Sequence, residues 1–333
     1  MGWLANARDS RASYALEPEP PARDLSAVAH IPDGFLSVPV LAGTAAASVA
    51  ALTAAARRSR AALGEREGPI LGAVTAFVFA AQMLTFPLGI GASAHLLGGA
   101  LVAVMLGPWA GMLVLFAVLL VQALLFQDGG IATLGANTLN LAVLGVGSAY
   151  GVFRLGRFVF GNAARAVIGS AAGAAWVSTV LVGLAVAGEL SLSGLVPWRA
   201  ALMLVGGGHV LIGTAEAVLT GLLVAFVLRS RPELIAPRTS RATAGPAFAV
   251  MSAAFAVLIL AVGLASRQAD VLEAALERLT SASALTSLGN PSAVPFPDYV
   301  SPVGGAWVAG AVGLLAAFLV AWGMVLAVAR RRS

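Results

Sequence analysis

The sequence predicts an all-α polytopic membrane protein with about nine transmembrane helices, seven followed by two. Three observations carry that fold class. Hydrophobic residues make up 59% of the 333 and charged residues only 11%, where a soluble domain carries about a quarter charged. Mean hydropathy is +0.92. Apolar runs long enough to cross about 30 Å of hydrocarbon recur along the chain, and arginine clusters fall at alternate ends of them.

Composition also excludes chemistry. There is no cysteine, so neither disulfides nor thiolate metal sites can form. All 20 basic residues are arginine. A Walker A loop needs a lysine on the nucleotide phosphates, so any ATP hydrolysis must come from another subunit. The sequence pI of about 10.9 arises from loop arginines. Without a soluble basic domain, it does not point to nucleic acid.

Residues 1–28, with RDSRAS and EPEPPARD, hold no apolar run. They read as a disordered leader rather than a secretory signal. His30-Ile-Pro-Asp-Gly-Phe-Leu follows, where Pro32 and Asp33 suit a helix start. The first span is expected at 35–56. Further spans are expected at 69–88, 95–107, 109–126, 134–153, 167–187, 201–228, 246–265 and 303–329. The span 95–107 is short and glycine-rich, which suits a tilted, broken or enclosed helix.

Arginines cluster at Arg57, Arg58, Arg60 and Arg66; at Arg154, Arg157 and Arg165; at Arg229, Arg231, Arg238 and Arg241; and at Arg330, Arg331 and Arg332. Counting spans puts all of them on one side. The positive-inside rule makes that side cytoplasmic. The N-terminus is then outside, the C-terminus cytoplasmic, and His30 and His95 share the outer face. The charged stretch 229–245 reads as a cytoplasmic linker between a seven-span part, 29–228, and a two-span part, 246–333. An external loop at about 266–302 carries a helical run from Val271 to Leu279.

The stretch Gln82 to Asn140 is almost wholly apolar, yet it holds His95, Asp128, Asn137 and Asn140. Polar groups at membrane depth are costly and usually face a site or a partner helix. His30, His95 and His209 are the only histidines. No Ser-His-Asp order and no HExxH pattern accompanies them, so no catalytic residue is assigned. Imidazole binds nickel, cobalt, copper and zinc well. By spacing alone, His95 reads equally as a ligand or as a helix-start histidine, and His30 more readily as structural. Asp33 reads first as a helix N-cap. His209 and Glu216 share a helix face, for interhelical pairing or for the site. Asp128, before Gly129 and Gly130, reads as an outer turn able to close over an ion. Gln122, Asn137 and Asn140 read as ties between helices. Glu273, Glu277 and Arg278 read as a solvated helix face or a cover over the entrance.

HIPDGFLS, FPLGIGASAHLLGG, LGPWAG, VQALLFQDGGIATLGANTLN and GHVLIGTAEAVLT together resemble the CbiM/NikM family over residues 29–228. These are the substrate-binding membrane components of energy-coupling-factor transporters for cobalt and nickel. The two-span tail resembles the CbiN/NikN part fused behind it. Its Pro-Asp-Gly-Leu-Glu signature survives only as Ala269-Asp270-Val271-Leu272-Glu273, and FPDY at Phe296–Tyr299 fits the tail better. The resemblance implies import of Ni(II) or Co(II) as substrate, with no permanent cofactor. It implies a CbiQ/NikQ-like coupling subunit and CbiO/NikO-like cytoplasmic ATPases, in a prokaryotic cell membrane. It implies an ion held by the amine of Ala29, the amide and imidazole of His30, and the imidazole of His95. Asp33, Thr85, Asp128, His209 and Glu216 are candidates to support those ligands; Thr85 stands where the family usually has Asn. The sequence places 28 residues before Ala29, so its amine is a ligand only if Ala29 is the mature terminus, through translation starting at Val28 or through trimming; the alternative is a weaker site without the amine. The HIPDGFLS start leans to nickel. The competing expectations are an intramembrane metalloenzyme, with zinc among His209, Glu216 and His95, and a structural subunit without metal.

Overall fold

The computed structural model describes residues 30–60, 67–88, 92–230, 235, 244–264, 266, 268–279 and 294–330. The leader, Val28 and Ala29 lie outside the described residues. So do Arg66, Arg238 and Arg241.

Hydrocarbon offers no partner for a bare peptide group, so the chain satisfies its backbone within helices. These are α1 (Val38–Ser59), α2 (Gly68–Met83), α3 (Gly99–Phe126), α4 (Leu134–Phe160), α5 (Ala164–Leu192), α6 (Trp198–Ser230), α7 (Ala244–Leu264), α8 (Val271–Leu279) and α9 (Gly305–Arg330). Among the described residues, six helical stretches are long and apolar enough to cross a membrane: α1, α3 to α6, and α9. α2 and α7 supply shorter apolar helices. The chain is therefore a mostly helical, multi-pass membrane protein.

The centre of the bundle is α3, with 72% of its apolar window buried inside the protein against 17% for α1. It is not one rod. Gly107 has φ 77° and ψ 176°, a backbone region essentially reserved for glycine, and Pro108 follows. The chain folds back there. A Cβ on Gly111 would lie 3.2 Å from Cγ2 of Val102, whereas continuous helix would set the two residues about 13 Å apart along the axis. The stretches expected at 95–107 and 109–126 are thus two arms of one hairpin. Its turn sits at the arginine end of the bundle, where the Arg58 guanidinium lies 4.7 Å from the centroid of the Trp109 ring, a cation–π contact.

The tail helices α7 and α9 pack along α2. The Phe318 and Trp322 rings of α9 lie over Gly72 and Gly68 of α2, small residues that admit close approach. At the other end of the bundle, π-helical turns occur at Gln122–Phe126, Thr138–Gly145 and Leu202–Gly206. Such bulges often mark functional sites, and each adjoins a segment that builds the site described below.

Two local expectations are corrected. Asp33 does not cap α1, whose N-cap position is Ser37. Its carboxylate instead accepts the amides of Ile131, Ala132 and Thr133 at 2.8–3.1 Å, binding the His30 loop to the turn before α4. Glu273 is no solvated face: it is buried and accepts the Asp270 amide at 3.1 Å, while Asp270 Oδ1 accepts the Leu272 amide at 2.7 Å. The two form a reciprocal capping box at the start of α8.

Candidate metal-binding site

Two segments bring imidazoles together at one end of the bundle. The first is the loop before α1. Ile31 is tied to α4 by the side chain of Asn137, which accepts its amide and donates to its carbonyl, both at 3.0 Å. Behind it, Gly129 takes φ +81°, and a Cβ there would come within 3.0 Å of His30 Cβ. Glycine is therefore required for both conformation and space.

The second segment follows a short antiparallel ribbon, β1 (Phe86–Pro87) against β2 (Ser93–Ala94), with Phe86 opposite Ala94. His95 comes directly after β2. The next residues are extended, and their amides are held by Glu216: Leu97 at 3.0 Å and Gly98 at 2.9 Å. Gln82 reaches the Leu97 carbonyl at 2.9 Å and is itself held by Gln122. The loop carrying His95 is thus pinned by three membrane-embedded side chains.

The result is a pair. The His30 and His95 ring centroids are 5.9 Å apart, and both residues are buried, at 2% and 4% exposure. His30 Nδ1 lies 2.9 Å from Asp128 Oδ1. Burial would raise the Asp128 carboxyl, but the His30 imidazole, that hydrogen bond and one from Tyr299 more than offset it and hold it below the usual carboxylate range. An ionised carboxylate only accepts, so His30 Nδ1 donates, and in the neutral ring the lone pair then sits on Nε2. His30 Nε2 is buried with no hydrogen-bond partner among the described residues. His95 Nδ1 donates to the Leu96 carbonyl at 3.1 Å, and His209 Nδ1 to the Val205 carbonyl at 2.8 Å. By the same logic each leaves Nε2 as an acceptor. Burial, then the neighbouring His30, push His95 down to about 4, so it stays neutral and able to ligate at neutral pH.

These rings line a cavity of about 30 Å³, with Asn137, His209 and Asp270 also on its wall. Asp270 comes from the tail, beside Ser93, whose amide donates to the Ala269 carbonyl at 2.7 Å. Burial raises the Asp270 carboxyl to about 7. On the far side, the Tyr299 hydroxyl donates to Asp128 Oδ2 at 2.6 Å.

The arrangement sorts the sequence candidates. His30, His95 and His209 line one cavity, and Asp128 contacts His30 directly. Asp33 steadies the loop without reaching a ring. Thr85 donates to the Ser266 carbonyl at 2.9 Å, so it fastens the tail. Glu216 holds the backbone beyond His95 and shares no bond with His209. Sequence reasoning missed Asp270 and Tyr299 at the site; the motifs ADVLE and FPDY were visible, but not what they touch. Among the described residues, no three of His, Cys, Asp and Glu are placed to share one ion. Two imidazoles would need further donors. Fused chelate rings through the amide of residue 30 would close on Nδ1, so binding in that mode requires the ring to leave Asp128.

The fold is that of a multi-pass membrane protein, with two imidazoles buried close together beside one end of its helices. The comparisons agree. Residues 30–234 match the family model "CbiM: Cobalt uptake substrate-specific transmembrane region", and the chain belongs to the CbiM family. It is 37% identical over 62% of its length to a putative metal transport protein of Haloquadratum walsbyi, covering 93% of that protein. It is 35% identical over 85% of its length to a putative fused nickel transport protein NikMN of Archaeoglobus fulgidus, covering 94% of it. A crystal structure of a truncated transition metal transporter superposes with TM-score 0.55 at 35% identity, over 60% of this chain and 98% of that one. The chain is a transporter component and not an enzyme, which removes the metalloenzyme alternative.

Proposed function

We propose that this chain is the substrate-capture permease component of an energy-coupling-factor transporter importing Ni(II), with Co(II) as the second candidate. The fused NikMN relative is matched over 85% of this chain, which supports nickel and a fused two-part chain, 29–228 and 246–333, joined by 229–245. In this reading nine crossings leave the N-terminus outside and the C-terminus in the cytoplasm of a prokaryotic cell. The ion is met at the outer face by the imidazoles of His30 and His95. The amine of Ala29 joins them when it is the mature terminus, and Asp33, Thr85, Asp128, His209 and Glu216 support the site. A CbiQ/NikQ-like coupling subunit and CbiO/NikO-like ATPases supply the drive that this lysine-free chain lacks.

One observation carries the proposal. Two buried imidazoles, each fixed at Nδ1, face one small cavity with centroids 5.9 Å apart. Neutral imidazole nitrogens suit Ni(II) and Co(II), and carboxylate or carbonyl partners on the far nitrogen raise their basicity. The test is metal binding by the purified full chain, with Ni(II), Co(II), Cu(II) and Zn(II) in competition, together with uptake by the assembled transporter. His95→Ala should abolish binding and uptake while the apo protein melts as wild type. A His95→Ala variant that binds and transports normally sinks the reading and leaves a structural subunit. N-terminal sequencing of the native protein tests Ala29: a terminus at Met1 removes its amine from the ligand set.

A further inference from the structure

On the arginine side of the bundle, away from the histidines, α2, α3, α6 and α7 border an apolar cavity of about 130 Å³. Phe77, Met105, Leu223, Phe226 and Ala253 are on its wall, and Ser230, the last residue of α6, stands at its end. The wall follows α6 from Leu223 to Ser230, a length of about 10 Å. Met105 sets the same depth on α3, two residues before the turn at Gly107. The cavity therefore runs inward from the arginine end. It is open at the side, where Phe226 is 64% exposed. It lies between the last helix of the seven-span part and the first of the tail, and it shares no wall residue with the histidine cavity.

Few occupants suit such a space. Apart from Ser230, every side chain on its wall is apolar. Water finds no partners there: an apolar cavity of about 150 Å³ stays dry and takes up a molecule the size of benzene. A helix, about 10–12 Å across, would need several times the volume over the same length. The stretch after Ser230, RPELIAPRTS, is rich in charge and proline and offers only Leu234 and Ile235 as large apolar residues. Lipid hydrocarbon fits the width, the polarity and the depth. At the mouth, next to Ser230, Arg229 is exposed, and a basic residue just beyond a crossing attracts anionic headgroups. We propose that the cavity is a phospholipid site: one acyl chain lies between α6 and α7, and Arg229 draws an anionic headgroup to its mouth. The lipid closes the gap between the two parts of the chain.

The full chain, purified in mild detergent and freed of loosely held lipid, is mixed with phosphatidylglycerol or with phosphatidylcholine of the same acyl chains. Adducts are followed by native mass spectrometry, beside the melting temperature. The expected result is one phosphatidylglycerol adduct that outlasts all others on activation, and a raised melting temperature. Ala253→Trp fills the cavity and should lose both effects. Leu222→Trp, on an exposed face outside the wall, should keep both. Arg229→Gln should cut the preference for phosphatidylglycerol over phosphatidylcholine by about fivefold. A wild type that retains no adduct, or that holds the two lipids equally, overturns the proposal. So does an Ala253→Trp variant that keeps its lipid, including one that instead loses the coupling subunit, which would make the groove a protein contact. If Ala253→Trp does not fold, Ala249→Trp, at an exposed place on the same wall, is judged by the same outcomes.

Discussion

At the scale of single residues, the site combines groups whose charges respond to pH in opposite senses. Burial holds Asp270 at about 7, well above an unfolded aspartate at about 3.9. Its folded form binds the extra proton between those values, so its contribution to stability is present at low pH and lost as pH rises through about 7. We expect the apo melting temperature of wild type to fall relative to Asp270→Asn as pH goes from about 5 to 8, with asparagine still able to cap α8. Parallel melting curves across that range would contradict the burial argument. His95, pushed down to about 4, should leave metal affinity insensitive to its own protonation until pH approaches that value. The meeting of His30 and His95 was legible because counting spans puts both at one face; what they do there was not, since spacing alone leaves His95 open between ligand and helix start and reads His30 as structural. The role of Asp33 was not legible, because the local capping rule sees only nearby amides; the donors it binds lie some hundred residues on. The Tyr299–Asp128 contact spans 171 residues, beyond any local pattern.

At the scale of elements, the hairpin of α3 depends on one glycine. Gly107 has φ 77°, and nothing lies within 4 Å of where its Cβ would stand, so the obstacle to a side chain there is backbone strain alone. Gly107→Ala should destabilise the protein by roughly 1–3 kcal/mol, read as a lower melting temperature in detergent. Gly151→Ala, in helical backbone with equally open space, should be neutral or stabilising by up to about 1 kcal/mol. Equal effects at both positions would mean that the turn is not strained. The hairpin was partly legible: short length and glycine content marked 95–107 as irregular, and Pro108 marked its end. That both arms occupy the middle of the bundle was not, since periodicity carries no signal when every face of a helix is buried.

At the scale of the whole molecule, the expected orientation follows from arginine placement. The His30 loop, the turn before α4 and the tail segment meet at one end, and Arg57, Arg58, Arg154, Arg157 and Arg229 lie at or near the other ends of their helices. The absence of cysteine makes the sidedness directly measurable. In intact cells, a membrane-impermeant maleimide should label Arg199→Cys and should reach Ala163→Cys only after permeabilisation; the reverse pattern would invert the topology and put the histidines on the wrong side for uptake. The class of the fold was legible because lipid restricts the choice to helices or closed barrels. The tail's grip on the histidine loops was not, because hydropathy reports depth and says nothing about neighbours.

The folded-back α3 also has a mechanical consequence. One arm begins just after His95 and the other finishes just before Asp128, so both walls beside the imidazole pair are carried on a single V. A force at its apex, next to Trp109 and Arg58, would tug both walls in concert, giving the arginine side of the molecule a handle on the opposite one.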